Sequence, residues 1–333
     1  MSRPFLAFRD TRQAVGILQQ LAVITIAILV VPPVAARAEG NTPVSKLDRV
    51  LRRYAESANQ APTHRVIIRT KAGYRSALAA ELRAHGDRVG TEHRLIEALT
   101  TDLHDADLTA LAADPRVESI SIDARVGAHA NPNADANLIR GTLGLTTTGP
   151  TGAGVGIALI DSGIEPAVGL GGRIAAFYDF TRGGIVQRSA YDDFGHGTHL
   201  AVAIGGDGTL EGTYKGIAPG VTFIGLKVLD SKGHGNTSDV IRAVEFATAN
   251  RIALGIDIIN LSLGHPIYES ADSDPLVQAV EQAVRAGIIV VASAGNFGVN
   301  RETGVPGYGG ITSPGNAPSA ITVGAFKVNN TLS

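Results

Sequence analysis

The sequence predicts an α/β chain: a layered domain of parallel strands and crossover helices over residues 151–333, preceded by a smaller α+β unit. Two observations predict it. Beyond Thr151, apolar runs of strand length alternate with segments whose apolar residues recur at helical spacing. Before it, residues 65–122 read strand, helix, strand, strand, helix, strand in a compact stretch. A hydrophobic fraction of 44% supplies a core for both parts. A net charge of −2 excludes a dominant basic surface, so nucleic acid is not an expected partner. With 0 Cys, disulfides, thiolate metal sites and a Cys nucleophile are excluded together.

The elements follow in order. Arg3, Arg9 and Arg12 outweigh Asp10, and Leu21–Val31 is apolar except for Thr25. That run is too short to span a bilayer and suits a signal peptide. Pro32 and Pro33 break it, and Ala36-Arg37-Ala38 puts small residues at −3 and −1. Residues 1–38 are therefore expected to be a Sec-type signal peptide, with secretion to the extracellular space or cell envelope and no stable membrane anchor. An uncleaved anchor is the alternative. Residues 39–62 read as a linker.

The small unit, 63–125, opens with the strand Arg65–Arg69. Tyr74, Leu78 and Leu82 then mark a helix closed by Gly86. Strands are expected at Asp87–Glu92, Leu95–Leu103 and Val117–Ile122, with a helix through Leu108, Leu111 and Ala112 that stops at Asp114-Pro115. This β-α-β-β-α-β order is ferredoxin-like and specifies no function by itself. Residues 126–150, with Asn131-Pro132-Asn133, read as a second linker and a site for proteolytic nicking.

In the larger part, Val155–Ile160, Thr222–Leu229, Ile256–Leu263, Ile288–Ala292 and Ala320–Val323 suit parallel strands buried on both faces. Val240, Ile241, Val244 and Ala247 form one helical stripe, with Ser238 or Thr237 as its cap. Leu276, Val280, Ala283 and Val284 form another, started by Asp274-Pro275 and ended by Gly287.

Chemistry-bearing residues sit at the strand ends, where such sheets carry their sites. Asp161 closes an apolar strand, and a carboxylate there must find a donor. An imidazole N–H would serve; so would the role of a simple turn cap. Asp161-Ser162-Gly163 is also what an aspartic protease lobe carries, but that chemistry has no use for a histidine. His196 lies in Gly195-His196-Gly197-Thr198-His199, at the start of a predicted helix through Ile204. His196 and His199 form H-x-x-H, yet no Glu adjoins the first His and no third ligand cluster follows, so a metal site is rejected. Tyr191-Asp192-Asp193 reads as a solvated turn. Gly152-Ala153-Gly154-Val155-Gly156 precedes a strand instead of following one, which argues against nucleotide binding. Asn260–Gly264 is a strand exit. Asn296 ends Ala292–Asn296, where its amide could serve a developing oxyanion or an Asx-turn.

These motifs, in this chain order, resemble the subtilases, the subtilisin-like serine proteases, over residues 151–326. The resemblance implies a subtilisin-like parallel sheet with crossover helices, polypeptide substrates and an Asp-His-Ser triad. Asp161 would orient His196, the general base; His199 would be structural; Asn296 would be the oxyanion donor. Ser262, Leu263 and Gly264 would pair with extended substrate, and Ser293, Ala294 and Gly295 would wall the S1 pocket. Residues 63–125 resemble the family's inhibitor-type propeptide, an intramolecular chaperone and temporary inhibitor, so the chain's own propeptide is an expected partner. No cofactor is expected. Structural calcium is common in the family, but no ligands are assignable here.

Two departures stand out. Val202 replaces a Gly usual in the histidine motif. The Gly-Thr-Ser-x-Ala nucleophile motif is not found in 126–333, so 151–333 reads as the N-terminal portion of a catalytic domain, inactive as given. A non-catalytic pseudoprotease or peptide-binding module is the alternative.

Overall fold

The structure, a computed structural model, describes residues 43–56, 63–128, 145, 149–166, 169–209, 215–298 and 310–324. The expected signal peptide and the Asn131–Asn133 stretch lie outside them. The small unit begins with a 3-10 turn, Pro43–Lys46, and α1 (Arg49–Glu56). It continues through β1 (Thr63–Thr70), α2 (Arg75–His85), β2 (Arg88–His93), β3 (Ala98–His104), α3 (Asp105–Ala113) and β4 (Val117–Ile122). The sheet is antiparallel in the order β2-β3-β1-β4. The expected element order holds, and two boundaries move. Residues 43–56 are not a bare linker: Leu47 and Leu51, 1% and 0% exposed, join Leu78, Leu108 and Ile120 in this unit's core. Asp48 caps α1 by accepting from the Val50 and Leu51 N–H groups, and it also accepts from Ile122 N–H of β4. The strand expected from Leu95 starts at Ala98, because residues 94–97 turn and Glu97 takes a left-handed φ of 49°.

The larger sheet has seven strands. Its members are β6 (Gly156–Asp161), β7 (Ile174–Asp179), β8 (Val186–Gln187), β9 (Thr222–Lys227), β11 (Ile258–Leu261), β13 (Ile289–Ser293) and β14 (Ile321–Val323), in the order β14-β13-β11-β6-β9-β7-β8. All pairs are parallel except β7–β8. Central β6 is buried throughout. Its alternate residues serve two cores. Ala158 and Ile160 pack with α5 (Thr237–Ala249) and α6 (Pro275–Arg285); Ile157 and Leu159 pack with α4 (His196–Gly205). Burial on both faces holds for β6 and fails for β13, one of whose faces is exposed or half-buried, and for β14, an edge strand whose three residues are exposed.

Helix starts show where local reading suffices. Asp274 caps α6 as expected, accepting from Leu276 and Val277 N–H, with Pro275 at the first helical position. Helix α5 is capped differently. Neither Ser238 nor Thr237 caps its own helix; Asp123, just after β4, accepts from the Ser238 N–H and hydroxyl. Asp123 also pairs with Arg65 of β1 at 2.9 Å. The small unit thus delivers a carboxylate to a helix N-terminus of the larger sheet layer, where the macrodipole favours it. Ile67, Ile96 and Ala98 extend the same junction into the α5–α6 core. Glu245 of α5 accepts from Leu95 N–H at 2.8 Å and faces His93 at 3.3 Å.

Candidate active site

Asp161 is the last residue of β6 and is fully buried; His196 is the first residue of α4. Asp161 Oδ1 accepts from Ser162 N–H at 2.7 Å and meets His196 Nδ1 at 2.7 Å. A carboxylate only accepts, so Nδ1 carries the hydrogen and Nε2 of the neutral ring is left with its lone pair. His196 Nε2 and Asp161 Oδ2 are both buried without a hydrogen-bond partner among the described residues. The base end of the ring is therefore held, shielded and unused.

Three backbone segments touch to allow this. Gly163 has φ 132°, and a Cβ there would lie 2.1 Å from Tyr191 O; a Cβ on Gly197 would lie 2.2 Å from Gly163 O. Only glycine fits both positions. Val202 is half-buried and packs against the α4-side core without disturbing the helix.

The turn at Tyr191-Asp192-Asp193 is partly solvated, with Asp193 exposed, but its carboxylates are also bonded inward. Asp192 Oδ1 accepts from the Ser162 hydroxyl and the Phe194 and Gly195 N–H groups; Oδ2 accepts from Thr198 N–H and its hydroxyl. Burial pushes this carboxyl up, but the Thr198, Gly195 and Phe194 bonds outweigh it and hold it below the usual carboxylate range. Asp193 accepts from Lys227 Nζ at 2.6 Å. The turn is drawn inward because the unsatisfied N–H groups that open α4 and the buried ammonium of Lys227 both need acceptors. His199, half-buried on α4, is lowered by burial and then by the His196 charge.

Leu263 and Gly264, two of the three residues expected to pair with extended substrate, pair here with a strand of this same chain. β5 (Arg125–Ala128) runs antiparallel to β12 (Leu263–Gly264), with Ala128 opposite Leu263 and Gly127 opposite Gly264. Its other edge pairs with β10 (His234–Asn236). Val126 is 1% exposed, and Ala128 N–H donates to Gly233 O. Phe194, 44% exposed, covers Gly233 and lies 6.4 Å from the His196 ring, so β5 points its carboxyl end toward the histidine loop. Ser262 accepts from Asn260 Nδ2.

Ser293 ends β13, and Ala294 bonds to Val323 and Thr312; Gly295, at φ 96°, lies against Thr312. Asn296 is exposed beyond β13, on the same carboxyl edge as Asp161 but two strands away. The structure joins Asp161 to His196 and does not join these residues to the pair. Among the described residues, no group of three or more His, Asp or Glu side chains is arranged to hold a metal ion, and no helix is long and apolar enough to cross a membrane.

Comparison with known proteins fits this geometry. The subtilase family, peptidase S8, matches residues 152–333. Serine protease AprX of Bacillus subtilis (strain 168) is 41% identical over 189 residues, 55% of this chain and 40% of the relative. Subtilisin E of the same organism is 33% identical over 251 residues, 74% of this chain and 60% of the relative. That alignment is too long to fit within 152–333 and so reaches upstream. Fervidolysin from Fervidobacterium pennivorans shares the fold at a TM-score of 0.60 and 19% identity, covering 80% of this chain and 43% of that one. The chain spans about half the length of the curated relatives it matches. On its sheet order, its strand-end acid and the family match over more than half its length, the chain belongs to the subtilase family.

Proposed function

We propose that this chain is the precursor of a secreted serine endopeptidase in which Asp161 and His196 are two members of an Asp-His-Ser triad. The observation that carries this is the 2.7 Å contact of His196 Nδ1 with Asp161, with Nε2 left buried and unpartnered. In that state Nε2 can take the proton of a serine hydroxyl as it adds to a peptide carbonyl, and return it to the leaving amine. Asp161 holds the ring and stabilises the imidazolium. Asn296 is the proposed oxyanion donor, on the shared strand edge. The serine is proposed to come from coding sequence after residue 333, supported by the 40% and 60% of AprX and subtilisin E that the chain spans.

The substrates are polypeptides bound in extended form between β10 and β12, as β5 is here. Because β5 directly follows the small unit, residues 63–125 are read as a propeptide whose tail fills the groove, with maturation within 126–150. Secretion is supported by the leader and by a relative called extracellular serine proteinase in Thermus sp. (strain Rt41A), 36% identical over 239 residues. A peptide-binding module without catalysis would also keep β5 between β10 and β12, but it gives no reason for a shielded, unused Nε2.

The test is peptide hydrolysis by the complete gene product. His196→Ala should lower kcat by roughly 10⁶-fold, the size measured in subtilisin itself. Undiminished turnover in that variant would overturn the assignment.

A further inference from the structure

We propose that Asp192 is a positioning residue for His196: it holds the imidazole on Asp161 by fixing the backbone from which the ring projects. The inference rests on reading Asp161 and His196 as the acid–base pair, and it adds a residue to that pair's support.

His196 opens α4, and the first turn of a helix has backbone N–H groups with no partner inside the helix. The helix cannot cap itself. Its N-cap is Gly195, which has no side chain and a left-handed φ of 96°. The acceptors come from outside. Gly197 N–H donates to the Ser162 hydroxyl oxygen at 2.9 Å, and Thr198 N–H donates to Asp192 Oδ2 at 2.9 Å. The two acceptors are themselves joined, because the Ser162 hydroxyl donates to Asp192 Oδ1 at 2.9 Å. Asp192 also receives Phe194 N–H at 3.1 Å and Gly195 N–H at 2.8 Å, the two residues before His196. One carboxylate therefore fixes the backbone on both sides of the histidine. Through Ser162, it also ties that backbone to the residue after Asp161.

A second tie anchors the same turn. Lys227 is 1% exposed and lies beside Asp161 in the β6–β9 register. Its three donors are all used, on Ser162 O at 2.5 Å, Asp193 Oδ1 at 2.6 Å and Leu229 O at 2.7 Å. Asp193 keeps the turn from swinging outward, and Asp192 sets its register on α4. Without Asp192, nothing among the described residues links the Phe194–Gly195 backbone to the Asp161 loop through a side chain. Charge adds to geometry, since an anion at a helix N-terminus is favoured by the macrodipole.

The test reads the Nδ1–H proton of His196 by NMR in the chain labelled with ¹⁵N-histidine, with His196→Gln assigning the signal. Wild type should show a downfield, slowly exchanging Nδ1–H. Asp192→Asn puts an NH₂ where Thr198 N–H and hydroxyl need an acceptor, so the signal should broaden into solvent while backbone amide dispersion persists. Thr198→Val removes the hydroxyl that donates to Asp192 Oδ2 and accepts from Glu165 N–H, and exchange should quicken at least about tenfold, the factor that one ordinary hydrogen bond carries. Thr198→Ser keeps the hydroxyl and should exchange as wild type.

A folded Asp192→Asn with the wild-type signal overturns the proposal. If Asp192→Asn loses its amide dispersion, the Thr198 pair decides. Faster exchange in Val alone supports the proposal; no change in Val, or equal change in Val and Ser, overturns it. A folded wild type with no protected Nδ1–H overturns the acid–base reading itself, and this proposal with it.

Discussion

Replacing Glu269 with Gln probes how the small unit is held to the larger one. Glu269 lies between β12 and α6, where that segment meets β4 and α1. Burial and then the Asp274 charge push its carboxyl up to about 8, against favourable contacts from Ser121 and Ser273, with Asp48 adding to the repulsion. Asp48 is itself pushed up by burial, against hydrogen bonds from Ile122, Leu51 and Val50. The nearby cations are engaged elsewhere: Arg49 donates to Ile267 O and Arg69 to Asp272 O.

The folded value lies above the ordinary 4.5, so the folded chain holds this proton more tightly than the unfolded chain. Its stabilising effect is complete below pH 4.5 and is lost as pH rises through about 8. At 1.36 kcal/mol per pH unit, that window carries about 4–5 kcal/mol. Gln fills the same space without a charge. The variant should match wild type near pH 4 and exceed it at pH 9 by up to about 4 kcal/mol. Urea midpoints measured from pH 4 to pH 9.5 give the difference directly. A difference that stays flat across this range, or a Gln variant less stable at pH 9, would refute the reasoning.

Three further outcomes are expected. Asp123→Ala removes the borrowed cap of α5 and the partner of Arg65, and should cost about 1–3 kcal/mol in thermal unfolding, where an unchanged Tm would count against the cap. Lys227→Met strands Ser162 O and Leu229 O and should cost about 3–5 kcal/mol by urea denaturation, where a neutral substitution would show that the ammonium is not needed. N-terminal sequencing of the mature product should find a first residue within 126–150, and a mature chain that keeps residues 63–125 would contradict the propeptide reading.

Asp161 and His196 were legible because their signals are local. An apolar run ending in an acid marks a buried strand end, and glycines around a histidine mark a close backbone approach. The Asp274 cap was legible for the same reason. Asp192 was not, because four of its five donors, from Phe194, Gly195 and Thr198, are local bonds that an ordinary turn Asp can make, and the one that ties it to the Asp161 loop comes from Ser162, 30 residues away. The α5 cap was missed because its acceptor lies 115 residues away. Helix α1 escaped notice because its apolar residues Leu51, Tyr54 and Ala55, though at helical spacing and packed on the small unit's core, span little more than one turn among arginines. Strand β7 was missed although it carries a short apolar run, Ile174–Tyr178; it is only half-buried, beside the edge strand β8. The fold class was legible because parallel strands buried on both faces, such as β6, announce themselves as unbroken apolar runs.

The most direct test of the acid–base pair is covalent labelling of the complete gene product with a fluorophosphonate, located by mass spectrometry. The account predicts one labelled serine, beyond residue 333, whose labelling disappears in His196→Gln. A label on a serine within residues 43–324, or labelling that is indifferent to His196, would contradict it.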